Sequence, residues 1–198
     1  MPLPVDLAGL SRSTRRDHTR RRRTLDLLGD RIAYHRTRSQ QELADALQTL
    51  KTLHHRRNAS RPSAAGIADL ALPWQQVLTQ CAGAASIATL TLDGRPVAVQ
   101  LCLRRESRVY SVLTAMDPDC RELAAGHALL HLLCADLTAH GCTALDLGRT
   151  TADPGQRAYK AAYGAAWTTT HTFTHAPRPV RQPALLPTDG RTLTAAAR

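Results

Sequence analysis

Apolar residues in this chain recur at helical spacing over its first third, shorten to a two-residue period in the middle, and return to helical spacing before thinning out. The clearest start signal is Ser39-Gln40-Gln41-Glu42, which has the form of a capping box. Leu43, Leu47, Leu50 and Leu53 follow at helical steps and predict a helix to about Arg57. Upstream, Thr14-x-x-Asp17 and Gly29 predict an arginine-rich helix over 14–28, with its apolar residues, Leu25, Leu27 and Leu28, at the C-terminal end. Residues 31–36 alternate like a half-buried strand. After a loop over 58–65, Pro73 suits the first turn of a helix carrying Trp74, Val77, Leu78 and Cys81.

The short β-rich runs 86–92, 96–104 and 108–115 then predict an antiparallel meander, whose first turn is the strong hairpin signal Asp93-Gly94. A loop over 116–125 leads to an apolar helix over 126–140 closed by Gly141, and a short buried strand follows at 143–147. Beyond a polar loop over 148–155 come a short helix at 157–163, ended by Gly164, and a Thr-rich alternating strand at 167–175. From Ala176 onward Pro177, Pro179, Pro183 and Pro187 predict a disordered tail. Behind the basic helix the order is β-α-α-β-β-β-α-β-α-β, a mixed α/β layer fold in which strand 143–147 lies parallel to strand 108–115. The expected organisation is a basic arm over 1–30, a folded domain over 31–175 and a tail over 176–198.

Composition narrows the class. With 198 residues, 43% of them hydrophobic, the chain holds one domain with a real core, and with 4% aromatics that core is built from Leu, Ala and Val. No apolar run approaches the roughly 18 residues that cross a bilayer. The arginines follow the first apolar stretch instead of preceding it, unlike a secretory signal, so a cytoplasmic protein is expected. The five scattered cysteines contain no C-x-x-C pair, and reduced thiols are expected. Residues 1–61 carry 14 Lys and Arg against 6 Asp and Glu, so most of the formal +10 charge is N-terminal. The cluster Arg12, Arg15, Arg16 and Arg20 to Arg23 is either a site for RNA, a phosphorylated or other anionic ligand or an anionic membrane surface, or a solvated helix face.

Other candidate chemistry is thinner. His127, His131 and Cys134 share a helical face, but the helix around them is apolar core, so no metal is expected. Cys120 is a loop thiol beside Arg121 without a matching His–Asp arrangement. The start of helix 126–140 offers free N–H groups and a partial positive charge, which suit a phosphate.

Four passages carry a resemblance: Leu27-Leu28-Gly29-Asp30; Gly94-Arg95-Pro96-Val97-Ala98; Met116-Asp117-Pro118 leading to Ala125-Gly126; and Leu145-Asp146-Leu147-Gly148-Arg149 followed by Tyr159-Lys160 and Tyr163-Gly164. In this order the chain resembles the GNAT N-acyltransferases, and within them the acetyltransferase group named for the cellulose-biosynthesis protein CelD, close to the Fem-type aminoacyltransferases. The resemblance implies a GNAT-like mixed sheet and acetyl-CoA, or another acyl-CoA, as co-substrate without a metal. Arg121-Glu122-Leu123-Ala124-Ala125-Gly126 resembles the family's pyrophosphate loop, with Ala124 in place of its first glycine. The donor would then lie on Arg121, Ala124, Ala125, Gly126 and His127. Its thioester carbonyl would meet N–H groups of Ser111, Val112 or Leu113, where the family's fourth strand splays from the fifth.

By the same resemblance Tyr159 stands where a general-acid tyrosine is often found, the alternative being a core residue. Lys160 would meet an anionic substrate group. Asp146 is either a base or substrate-orienting carboxylate, or an Asx-turn or cap near Gly148, and Asp117 faces the same choice, since Asp-Pro often initiates a turn. Arg149, with Asp117, is the expected acceptor contact. The implied reaction moves an acyl group, acetyl above all, from CoA to an amine or hydroxyl of a small molecule or saccharide precursor. Two alternatives stay open: a Fem-like donor, aminoacyl-tRNA, bound through Arg12–Arg23, or an inactive GNAT-fold binding module that uses its basic helix. Relatives in this group often have two tandem halves; the chain would correspond to the C-terminal one, and a homodimer could restore the pair.

Overall fold

The computed structural model describes residues 1–58, 78–81, 83–150 and 154–169. The described residues up to Ala166 form one compact unit. Its elements are helix α1 (Arg12–Leu28), strand β1 (Ile32–Arg36), helix α2 (Gln40–Asn58), strands β2 (Ala85–Leu92), β3 (Arg95–Arg105) and β4 (Arg108–Met116), helix α3 (Ala125–Ala139), strand β5 (Ala144–Asp146) and helix α4 (Pro154–Ala161). A 3-10 segment spans Pro118–Leu123, between β4 and α3.

The sheet has the order β1-β2-β3-β4-β5, antiparallel through β4, with β5 added parallel to β4 as the sequence predicts for a helix crossover. Asp93 (φ 51°) and Gly94 (φ 77°) both adopt the left-handed backbone that a two-residue hairpin requires. Pro96 cannot donate to a ladder, and the register shifts beside it, pairing Thr91 with Pro96 and Leu90 with Ala98.

Each face of the sheet is covered. On one, Leu43, Leu47, Leu50 and Leu53 of α2, with Leu78, pack on Ile87, Val99, Leu101 and Ala115. The predicted capping box is formed: Glu42 N–H donates to Ser39 Oγ (3.2 Å), while Ser39 N–H reaches Glu42 Oε2 (3.4 Å). On the other face, Leu129, Leu130, Leu133 and Leu137 of α3 pack on Ala88, Leu90, Val97, Cys102 and Leu145. Residues 1–3 close the outer edge of β5, with Leu3 N–H bound to Thr143 O (2.9 Å) and Leu145 N–H to Met1 O (3.0 Å).

Several boundaries differ from expectation. Helix α1 begins at Arg12 because Ser11 caps it, its Oγ accepting the N–H of Thr14 (3.2 Å), so Thr14 is a first-turn residue and not the cap. The helix does not dock through its terminal leucines alone: His18 is buried and Leu25 half-buried, whereas Leu27 is 88% exposed. Helix α4 starts at Pro154, which the sequence placed in a loop; proline suits a first helical turn, where no N–H is needed. Strand β5 is shorter than predicted, because the chain turns at Gly148 (φ 71°). Of the helix expected from Pro73, only 78–81 are described; 78–80 are helical and Cys81 lies in a turn. Residues 167–169 of the expected last strand form no strand, and the rest of that strand and the tail lie outside the described residues.

Candidate active site

Strand β4 is the wall on which the site is built. It pairs with β5 only through Arg108, Tyr110 and the Val109 between them, opposite Ala144–Asp146. From Ser111 onward its ladder runs to β3 alone, and that ladder shifts register at the same place: Leu101 pairs with Leu113 and Cys102 with Ser111, so Val112 is the extra residue of a bulge. A bulge bends a strand and increases its twist, and here it coincides with the parting of β4 from β5. The backbone of Gly148 passes so close that a Cβ there would lie 2.8 Å from the Ser111 carbonyl oxygen.

At the end of β4 the chain enters a braced turn. Asp117 is buried, and its Oδ2 accepts from Arg56 at the end of α2 (2.9 Å) and from Arg95 at the start of β3 (2.7 Å). Its Oδ1 accepts the N–H of Asp119 (3.1 Å). Burial pushes this carboxyl up, but the Asp119 N–H and the two guanidinium groups outweigh it and hold it below the ordinary range. After the 3-10 segment, Ala124 adopts the left-handed conformation (φ 49°, ψ 42°) immediately before α3. The N–H groups of His127 and Ala128 close on its carbonyl (2.8 and 3.2 Å), and those of Ala125 and Gly126 belong to the first turn of α3. A Cβ on Gly126 would run into the Met116 sulfur, so this helix start seats closely on the end of β4.

Helix α4 closes over that start. Tyr159 donates to the Gly126 carbonyl (3.1 Å) and Tyr163 to that of His127 (3.0 Å). Burial raises both phenols well above their ordinary value, so both stay protonated at neutral pH. The His127 ring stacks on Tyr163 and meets Tyr159 edge-on, and its Nδ1 accepts from Arg21 of α1 (3.0 Å). Burial, with Arg21 beside it, lowers the His127 pKa to about 4, so the ring is neutral at pH 7. His18 Nε2 donates to the Ala162 carbonyl (2.7 Å), fastening α1 to the end of α4.

The residues expected from the sequence thus fall into three groups. Ala124, Ala125, Gly126, His127 and Tyr159 meet at the start of α3, and the backbone of Arg121 belongs to the 3-10 segment leading there. Ser111, Val112 and Leu113 line the opening of β4, next to Gly148. Lys160 is buried and donates to the carbonyls of Gly148 (2.7 Å) and Arg149 (2.8 Å), pinning the loop after β5 while the Arg149 side chain stays exposed. Burial lowers the Lys160 pKa, and Asp146 nearby opposes this. Asp146 itself accepts the N–H of Gly148 (2.8 Å), the Asx-turn arrangement that the sequence left open. Asp117 belongs to the Arg56–Arg95 cluster, where all its recorded partners are the chain's own groups.

Sequence reasoning missed Arg56, did not single out Arg21 within the basic cluster, and gave Tyr163 and Arg95 no role beyond the motifs in which they stand. Arg21 hides in a run of four arginines, yet His18 three residues before it and Leu25 four after mark the helical face that docks. Among the described residues no three His, Cys, Asp or Glu side chains are placed to hold a metal ion, and Cys102 and Cys134 are thiols that burial pushes up to about 12.

Solved structures of similar fold include a conserved protein from Bacteroides thetaiotaomicron VPI-5482, with 14% identity and TM-score 0.60, covering 80% of this chain and 52% of that one. An aminoglycoside acetyltransferase from an uncultured soil metagenomic sample, in complex with trehalose, matches at 13% identity and TM-score 0.56, over 76% of this chain and 99% of that one. A protein described as a possible acetyltransferase, from Clostridium difficile 630, matches at 10% identity and TM-score 0.56, over 75% and 99%. At these identities the likeness is one of fold. No curated protein matches the sequence. The family evidence comes from the sequence itself, which over residues 12–161 matches the family described as an acetyltransferase (GNAT) domain. That match takes in every element from α1 to α4, and the chain belongs to the GNAT acetyltransferase family.

Proposed function

We propose that this GNAT-type acyltransferase moves an acetyl group from acetyl-CoA directly to an amine or hydroxyl of a small molecule or saccharide precursor, in the cytoplasm. The observation that carries the reading is the parting of β4 from β5 at Ser111, with the bulge at Val112, in front of the start of α3. Unladdered backbone amides beside a helix start suit a ligand with a carbonyl at one end and phosphates at the other. The left-handed Ala124 fits that ligand, since it turns the backbone as a glycine of the family loop would.

The donor supplies an activated thioester. The amides of Ala125 and Gly126 would hold its phosphates, and an N–H among Ser111, Val112 and Leu113 its carbonyl, drawing charge off the carbon that the acceptor attacks. Tyr159 is a protonated phenol, able to give a proton to a leaving thiolate if it releases the Gly126 carbonyl. Asp146 is exposed and can accept a proton from the acceptor through the oxygen that Gly148 leaves free. Lys160 acts through the loop that it pins, setting Gly148 against Ser111. The CelD-like motifs favour a saccharide-type acceptor, and trehalose and sisomicin, found with one structural neighbour, are polyhydroxylated molecules of that kind.

Calorimetric titration of the chain with acetyl-CoA, followed by thiol release against a panel of aminosugars and polyols, tests the reading. Micromolar binding lost in Ala124→Asp, which sets a carboxylate against the phosphates, together with acceptor-dependent thiol release, is the expected result. A folded wild-type protein that binds no acetyl-CoA overturns it. One observation favours a second donor: Arg12, Arg16 and Arg23 are exposed on the outer side of α1, as an aminoacyl-tRNA would need. Binding of tRNA that weakens steeply with salt, without acetyl-CoA binding, would select that donor.

A further inference from the structure

Helix α1 turns one arginine inward. Arg21 lies on the face that carries buried His18 and half-buried Leu25, and it is itself half-buried against α3. A guanidinium has five N–H donors in a planar fork suited to a carboxylate or a phosphate. Here the recorded hydrogen bond is to a ring nitrogen, His127 Nδ1, and among the described residues no carboxylate pairs with it. Asp17, one turn earlier, is taken by Arg20 (3.0 Å).

The groups in direct contact with Arg21 carry no negative charge. The His127 ring is neutral, and the Tyr159 and Tyr163 phenols are protonated and turned to the carbonyls of Gly126 and His127. Asp17 acts on the His127 ring from a turn away but is shared with Arg20, and the start of α3 is positive. A cation partly removed from water, beside a second positive pole, is unfavourable unless an anion joins it. Such an anion would lie within reach both of the first-turn amides of α3 and of the unused edge of the guanidinium.

We propose that Arg21 binds a phosphate of the acyl-CoA donor, so that the N-terminal helix, and not the loop before α3 alone, completes the donor site. This rests on the acyl-CoA reading above. The phosphate is either one of the pyrophosphate pair or the 3′-phosphate, and the fork geometry suits both.

The test titrates acetyl-CoA into the full chain and into Arg21→Gln, Arg21→Lys and the charge-matched control Arg20→Gln, with acetylated 3′-dephospho-CoA as second ligand. Loss of a charge-assisted contact predicts that Arg21→Gln binds acetyl-CoA about tenfold or more weakly. Arg21→Lys should fall between, because it keeps the charge without the fork, and Arg20→Gln should stay within about twofold. If the penalty of Arg21→Gln vanishes with the dephospho ligand, the partner is the 3′-phosphate; if it persists, the partner is the pyrophosphate. Arg21→Gln binding as tightly as wild type, or Arg20→Gln weakening binding equally, overturns the inference while leaving the acyl-CoA reading intact. If Arg21→Gln does not fold, Arg21→Lys carries the test, and parity with wild type overturns the inference. A folded wild type that binds neither ligand overturns both readings together.

Discussion

Gly148 and Ser111 are in backbone contact at the point where β4 and β5 part, and a single Cβ on Gly148 would lie 2.8 Å from the Ser111 carbonyl oxygen. Gly148 also has φ 71°, a conformation that L side chains rarely adopt. Gly148→Ala therefore meets two penalties, left-handed strain and overlap with main chain, together about 3 kcal/mol. The expected outcome is a lower unfolding free energy in denaturant titration and, because relief moves the loop off Ser111, a weaker acetyl-CoA titration. Unchanged values for both would show that the loop moves aside at no cost.

Ala124 pays for the same conformation at the start of α3. In a helix interior Ala→Gly costs about 1 kcal/mol, but at φ 49° glycine removes the Cβ strain that alanine carries. Ala124→Gly should leave stability unchanged or raise it by up to about 1 kcal/mol, with acetyl-CoA affinity retained. Ala124→Val should lower both, since a β-branched residue tolerates this conformation least. Thermal unfolding with and without ligand separates the two effects.

Asp117 ties three parts of the chain together: Arg56 of α2, Arg95 of β3 and the turn that leads to α3. Asp117→Asn keeps the shape and removes the charge. Both arginines reach solvent, so their loss of a partner is softened, and a cost of about 2 kcal/mol is expected, less than for a wholly buried pair. Since the turn positions the start of α3, donor affinity should fall with stability. Loss of activity at full stability and full donor affinity would instead return Asp117 to an acceptor-binding role.

The pH dependence follows from His127. Its folded-state pKa of about 4 lies below the ordinary value of 6.5, so the unfolded chain binds more protons as pH falls between the two. The stability that neutral His127 contributes is fully present above pH 6.5 and is lost on descending toward pH 4. The ring is only partly removed from water, and a loss of about 2 kcal/mol is expected over that interval. Burial lowers His131 as well, with His18 and Arg22 adding to it, so both rings act in the same direction. Melting temperatures from pH 7.5 to 4.5 should fall for wild type and flatten in His127→Gln. Equal slopes would assign the effect elsewhere.

Local interactions explain what the sequence determined unaided. The Ser39–Glu42 capping box closes within four residues, Asp93-Gly94 supplies both left-handed positions of its turn, and the leucines of α2 repeat at the helical period. With the short β-rich runs between them, such signals predicted the β2–β3–β4 meander and a parallel β5 after a crossover helix, though not the place of β1 beside β2, and the family motifs pointed to the start of α3 as the donor end. Tertiary structure decided the rest, through contacts between residues far apart in sequence. Nothing local tells Arg21 from Arg20, Arg22 and Arg23; only the docking of His18 on Ala162 turns Arg21 toward His127. The Asx-turn of Asp146 onto the Gly148 amide is local and was one of the two readings open in the sequence; what only the fold supplies is Lys160, which holds the Gly148 carbonyl from α4. The extent of the β4–β5 ladder, and hence the opening at Ser111, depends on a bulge against β3 and on a glycine pressed onto the strand, and neither has a pattern within a single element.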